Sequence, residues 1–128
     1  MDRASETRHP TRMQIQGDGQ TLRIFIGQNE QWQGRMPLHE AIVRKIREAG
    51  LAGATVIRAL DGFGAHSRTY GGRVLSEDRS IVIEVVDRAE RIQTILPVID
   101  LMVVKGLITL EPVRIVAYRT GATDHEDA

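Results

Sequence analysis

The sequence predicts an α+β fold, an antiparallel sheet carrying two helices on one face, in the order strand, helix, strand, strand, helix, strand. Three observations predict it. Apolar residues alternate in 21–26 and dominate 80–86, as strands require; they recur at helical spacing over 38–49 and again over 92–103; and turn residues separate each run from the next.

In Thr21 to Ile26, the side chains of Leu22, Ile24 and Ile26 share one face and those of Arg23 and Phe25 the other. Residues 28–35, QNEQWQGR, form a polar loop with the chain's one tryptophan, Trp32. Pro37 takes a first helical position, Leu38, Ala41, Ile42, Ile46 and Ala49 repeat at helical spacing, and Gly50 stands where a helix stops. Ala54 to Leu60 (ATVIRAL) is rich in β-branched residues and reads as the second strand, and Ser80 to Val86 (SIVIEVV) as the third. Asp87 and Glu90 have the acid-x-x-Glu form of a helix cap, followed by an apolar face of Ile92, Ile95, Leu96, Ile99, Met102 and Val103. Pro97 inside that pattern predicts a kink or a late start, and Gly106 ends the helix. Leu107 to Leu110 then reads as a short strand, Glu111-Pro112 as a break, and Val113 to Tyr118 as a final strand.

This is the ferredoxin-like βαββαβ sandwich with an extra C-terminal strand. Its uncovered face would hold Arg23, Phe25, Arg58 and Glu84 with Val82 and Val86. That half-apolar surface and the spare strand favour association with other copies; the alternative is a strand folded back over its own sheet. One domain spans 20–119, behind a flexible polar lead (1–19) and ahead of a flexible acidic tail (120–128).

Composition narrows the function classes. Seventeen basic and seventeen acidic residues cancel, which argues against a general nucleic-acid or membrane-surface binder. With 41% apolar residues the 128-residue chain can fill one core. Zero cysteines remove disulfides, thiolate metal sites and cysteine nucleophiles. The chain has neither an apolar run long enough to span a bilayer nor an apolar segment in its first twelve residues, so a cytoplasmic domain is expected.

The segment DGFGAHSRTYGG, residues 61–72, opens a connection that reaches about Arg79. Structureless connections beyond roughly 12–15 residues are uncommon unless they work or are disordered. Glycines at 62, 64, 71 and 72 allow backbone N–H groups to turn toward an anion, and Ser67, Arg68 and Arg73 supply hydroxyl and guanidinium donors. An idle hairpin extension is the alternative. The segment is not a Walker A loop, since it lacks GK[ST], and it lacks the third glycine of a dinucleotide fingerprint.

Catalytic patterns are weaker still. Val43 stands where the HExxH pattern begun by His39-Glu40 would need a histidine, so no metal site is expected. No serine has a GxSxG setting, and His66 beside Ser67 is a sequence neighbour rather than a spaced base–nucleophile pair.

Leu22-Arg23-Ile24-Phe25-Ile26-Gly27, Pro37-Leu38-His39-Glu40-Ala41-Ile42, Gly50-Leu51-Ala52-Gly53-Ala54-Thr55-Val56 and Leu107-Ile108-Thr109-Leu110-Glu111 together resemble the uncharacterised bacterial family called domain of unknown function one-ninety. That family is grouped with the PII-like signalling proteins. More distantly, Gly62-Phe63-Gly64 is similar to the Gly-Phe-Gly at the base of the regulatory T-loop of PII nitrogen-regulatory proteins. Arg119-Thr120-Gly121 is similar to their C-terminal Arg-Thr-Gly, where an arginine reaches a nucleotide phosphate.

The resemblance implies a homotrimer that binds an adenine nucleotide between subunits and grips a partner through a T-loop, here Gly62 to Arg79. Implied ligand residues are Gly62, Phe63, Gly64, Ser67 and Arg68 at the loop root, with Lys105, Gly106 and Arg119 opposite. His66, Tyr70 and Arg73 would lie on the partner-binding part, and the partner would be a membrane transporter, a channel or an enzyme. The chain departs from the PII pattern in two places. Val104-Lys105-Gly106-Leu107 replaces a Gly-Asp-Gly-Lys phosphate loop, and Ala65-His66 replaces Arg-Gln. A monophosphate, a cyclic nucleotide, another small anion or no nucleotide therefore stay open. The expectation is a non-catalytic regulator without cofactor, metal or nucleic acid. Its rivals are a protein-interaction module with no small ligand and a small enzyme using His66.

Overall fold

The computed structural model describes residues 17–60, 69–70, 73–74 and 79–121. In chain order the elements are β1 (Gly17–Gly27), β2 (Gln31–Trp32), β3 (Met36–Pro37), α1 (Leu38–Glu48), β4 (Thr55–Arg58), β5 (Thr69–Tyr70), β6 (Arg73–Val74), β7 (Ser80–Arg88), α2 (Ala89–Met102) and β8 (Leu107–Ile115). The main sheet has the order β4-β7-β1-β8, and β2–β3 and β5–β6 form two small ribbons. Every neighbouring pair in the main sheet is antiparallel. With helices in both β-to-β crossovers this is the ferredoxin-like arrangement that the sequence predicts.

Parity decides which face is covered. Leu22, Ile24 and Ile26 of β1 and Ile81, Ile83 and Val85 of β7 are fully buried. Registers such as Ile24 opposite Ile83 put them on one face. Against it pack Leu38, Ala41, Ile42 and Ile46 of α1 and Ile92, Ile95, Ile99 and Met102 of α2. Each of these leucine, isoleucine, valine and methionine side chains contributes about 1.5–3 kcal/mol by leaving water. The other parity of the sheet is open. There Arg23 of β1 joins Glu84 of β7 (Nε to Oε2, 2.8 Å) and Glu111 of β8 (Nη1 to Oε1, 2.5 Å). Exposed Ile57, Val86 and Leu107 fall on that face by register.

Helix α1 ends as its glycine predicts. Gly50 has φ +81°, its N–H donates to the Arg47 carbonyl, and the Leu51 N–H reaches back to that of Ile46. This is a Schellman stop, sealed by the buried Ile46 and Leu51.

Several expectations need correction. Strand β1 begins at Gly17, inside the stretch read as a lead, and Pro37 is the N-cap of α1 rather than its first helical residue. The two terminal strands expected on either side of Glu111-Pro112 are one strand, so the sheet has no extra strand there. The reason lies in the bonding alternation. The Gln28 N–H donates to the Arg79 carbonyl, so even-numbered residues of β1 bond toward β7 and odd-numbered ones toward β8. Pro112 is opposite Gln20, and its missing N–H therefore faces the free edge, where it costs no ladder bond.

Arg58 pairs with Ile81 and so shares the helix-covered face, not the open one. Asp87 makes no cap bond with Glu90; the N-cap position of α2 is Arg88, and Asp87 is fully buried on other partners. Helix α2 starts at Ala89 and runs on through Pro97, which lies on an exposed part of its surface.

Candidate functional site

The long connection leaves the sheet where β4 ends and β7 begins, and its root is tied on both sides. The Ala59 N–H donates to the Ser80 carbonyl at 2.9 Å, extending the β4–β7 pairing by one residue. Arg79 Nη1 donates to the Leu60 carbonyl at 2.7 Å, holding the two strands of the root together from the side. Gln28, one residue beyond β1, donates its N–H to the Arg79 carbonyl at 2.7 Å and accepts from Arg58 Nε at 3.1 Å. The sequence did not single out Gln28, Arg58 and Arg79 as the ties of the loop root. Arg58 and Arg79 are the cationic side chains nearest the two ends of the connection, which is the one signal that marks them.

Of the candidate residues, Gly62, Phe63, Gly64, His66, Ser67 and Arg68 lie outside the described residues. Tyr70 and Arg73 are opposite each other across the β5–β6 ribbon.

Lys105 and Gly106 form the turn between α2 and β8, and they reach the same end of the sheet as the loop root. Leu107 is opposite Phe25, two residues before β1 ends beside Ser80. Gly106 has φ +150°, and a Cβ there would collide with the Phe25 carbonyl oxygen and stand 3.2 Å from Ile26 Cγ2. The turn is seated on the end of β1, and only glycine permits the approach. Lys105 Nζ lies 3.8 Å from Glu30 Oε2, and the Glu30 carbonyl accepts from the Leu38 N–H at the start of α1. Both partners of that ion pair meet water, so it contributes no more than about 1 kcal/mol.

Arg119 is elsewhere. It follows the far end of β8, where Ile115 is opposite Gly17. Nine residues of strand at about 3.4 Å each separate that end from Gly106 by roughly 31 Å. One protomer therefore brings Lys105 and Gly106 to the end of the sheet that carries the loop root, and ends β8, four residues before Arg119, at the opposite one.

A groove of about 520 Å³ runs between α2 and β8, lined by Gln93, Leu96, Pro97, Asp100, Ile108 and Leu110. Its one charged group is a carboxylate, which repels an anion, so the groove is a poor rival for the loop-bearing end. Among the described residues no group of three or more His, Cys, Asp or Glu side chains is placed to hold a metal ion. No described helix is long and apolar enough to cross a membrane.

Comparison with known proteins agrees with this architecture. Residues 19–115 match the model of a family, DUF190, described as Uncharacterized ACR. A UPF0166 protein of Aquifex aeolicus (strain VF5) is 34% identical over 97 residues, covering 74% of this chain and 90% of the relative. Among solved structures, a PII-like signalling protein of Thermus thermophilus superposes with a TM-score of 0.55 at 19% identity, over 78% of this chain and 91% of that one. CPII of Thiomonas intermedia, solved bound to ADP, AMP and acetate, gives a TM-score of 0.55 at 17% identity, over 79% of this chain and 91% of that one. The same protein bound to ADP and bicarbonate gives 0.51 at 20% identity, over 78% and 90%. At those identities the likeness shows the fold, which is PII-like.

Proposed function

The chain belongs to the DUF190 family, and on that premise we propose that it is a non-catalytic PII-like regulator that binds a small anionic ligand at the loop-bearing end of its sheet. One observation carries the reading: the Lys105–Gly106 turn and the tied root of the long connection stand at the same end of the sheet, seated on the end of β1. An adenine nucleotide is the ligand class we favour. CPII, a fold relative, was solved with ADP, with AMP, and with the oxyanions acetate and bicarbonate.

In this reading the ligand engages Gly62, Phe63, Gly64, Ser67 and Arg68 from the loop, with Lys105 and Gly106 beside it, while His66, Tyr70 and Arg73 meet a partner protein. Arg119 completes the site from a neighbouring copy, because within one chain it follows the end of β8 remote from Lys105. Such a head-to-tail contact closes as a ring, and a homotrimer is the ring we propose. The half-apolar open face around Ile57, Val86 and Leu107 gives the copies apolar surface to bury. The protein would act in the cytoplasm, on a membrane transporter, a channel or an enzyme.

The test is a thermal-shift and calorimetric screen against ATP, ADP, AMP, cyclic nucleotides, acetate and bicarbonate, with oligomer mass read by light scattering. A ligand selective for the folded state adds about 2.7 kcal/mol at a hundredfold excess over its Kd. A shift lost in Arg119→Ala is the expected result. A sound oligomer that answers to nothing in the panel would leave the second reading, a protein-interaction module without a small ligand.

A further inference from the structure

Arg58 is the last residue of β4, at one edge of the sheet, yet its guanidinium is held by Gln28, which follows β1. Between those two strands lies β7. Two strand spacings of about 4.8 Å must therefore be crossed, so the side chain extends inward across the start of β7 on the helix-covered face. This carries a positive charge from the sheet edge toward the middle of the loop-bearing end.

The way Arg58 is held leaves it able to bind. Gln28 takes the Nε–H alone, which leaves the two terminal nitrogens with four N–H groups. Gln28 is neutral, and among the described residues no carboxylate lies within the ion-pair distance of Arg58. The anchor is itself fixed, because the backbone N–H of Gln28 bonds to the Arg79 carbonyl at the loop root. A guanidinium on a strand, positioned by an amide and short of a counter-charge, matches what a phosphate or carboxylate needs: a planar pair of N–H donors with its charge not yet neutralised. Arg79 at the same root differs, since it bonds the Leu60 carbonyl.

We propose that Arg58, positioned by Gln28, is an oxyanion-binding residue of this protein, taking a phosphate or carboxylate group at the loop-bearing end of the sheet. The inference rests on the ligand-binding reading above and adds to it a residue that neither sequence motif nor resemblance marks.

The experiment is calorimetric titration of ADP, AMP and acetate into the full-length wild-type protein and into Arg58→Gln, Arg58→Lys, Gln28→Ala and Arg44→Gln. Arg44 is an exposed arginine on α1 and controls for a change of net charge alone. Loss of a charge-assisted bidentate contact is expected to weaken binding about tenfold or more in Arg58→Gln. Arg58→Lys should recover part of the loss, Gln28→Ala should show a smaller loss, and Arg44→Gln should match wild type. A loss confined to ADP and AMP assigns Arg58 to phosphate, and a loss confined to acetate assigns it to carboxylate; either supports the proposal. Wild-type affinity in Arg58→Gln, or a loss no larger than that of Arg44→Gln, overturns it while the ligand-binding reading stands. A lowered melting temperature with unchanged affinity also overturns it, making Arg58 a structural tie. Wild-type protein that binds none of the three probes overturns this inference, and the reading beneath it falls only if the whole panel above fails.

Discussion

The buried carboxylate of Asp87 accepts a 2.8 Å hydrogen bond from the N–H of Ala52, joining the start of α2 to the turn after α1 across 35 residues of sequence. Its other oxygen accepts from the Arg88 N–H at 2.7 Å. Arg91 Nε stands 3.8 Å from that oxygen, and Arg91 Nη1 donates to the Gly50 carbonyl at 2.9 Å. Removing the carboxylate leaves two backbone donors without their acceptor and Arg91 without its counter-charge. Asp87→Ala should therefore destabilise the fold by roughly 2–4 kcal/mol in urea unfolding. Asp87→Asn keeps an acceptor oxygen and should lose about half as much. An Asp87→Ala protein as stable as wild type would show that the clasp adds nothing.

Gly50 and Gly106 both have positive φ, yet their neighbourhoods differ. A Cβ on Gly50 meets nothing within 4 Å, whereas one on Gly106 collides with the Phe25 carbonyl oxygen. Gly50→Ala should cost about 1 kcal/mol, the conformational term alone. Gly106→Ala should cost about 2–3 kcal/mol, because backbone must move as well. Chemical unfolding of the two variants side by side tests the difference, and equal losses would contradict it.

Glu90 lies in the first turn of α2, and its carboxyl is held below its ordinary value of 4.5, first by a bond from its own backbone N–H and then by Arg88 and Arg91. A carboxylate with a lowered folded-state pKa stabilises the fold above its unfolded pKa and loses that contribution as pH falls through the folded one. The stability difference between wild type and Glu90→Gln should be flat above pH 4.5 and should close below it. The group is exposed, so the difference should be small and should shrink further in salt. A gap that widens on acidification would reverse the assignment.

If each ligand site takes Lys105 from one copy and Arg119 from the next, two damaged proteins should repair one another. Lys105→Ala and Arg119→Ala, each weak in ADP binding alone, would be unfolded together and refolded as a mixture. Random assembly gives about a quarter of the sites both intact residues. Recovery of that fraction at wild-type affinity is the expected result, and none at all would place both residues in one protomer's site or in no site.

The sheet was legible because period-two alternation survives in a single sequence. Leu22, Ile24 and Ile26, and Ile81, Ile83 and Val85, mark the covered face without any knowledge of their partners. In ATVIRAL, apolar residues flank Arg58 on both sides, so only the register with β7 reveals its face. Asp87 was misread because a cap motif is local, while its actual partner Ala52 is remote in sequence. Pro112 was misread as a break because a proline interrupts a strand bonded on both sides but not the outward side of an edge strand. For the candidate site, loop length marked the end of the sheet where β4 gives way to β7. The separation of Lys105 from Arg119 was hidden, since it depends on β8 running unbroken through Pro112.

That proline also limits how the protein can associate. Ile108, Leu110, Pro112 and Arg114 turn their backbone groups toward the free edge of β8. An incoming strand would find donors at 108, 110 and 114 but a gap between them, and a proline ring in the path of its carbonyl. Edge-to-edge growth of the sheet into a fibril is opposed at its longest open margin, so copies of this chain are steered to meet through faces and side chains, where assembly can be finite.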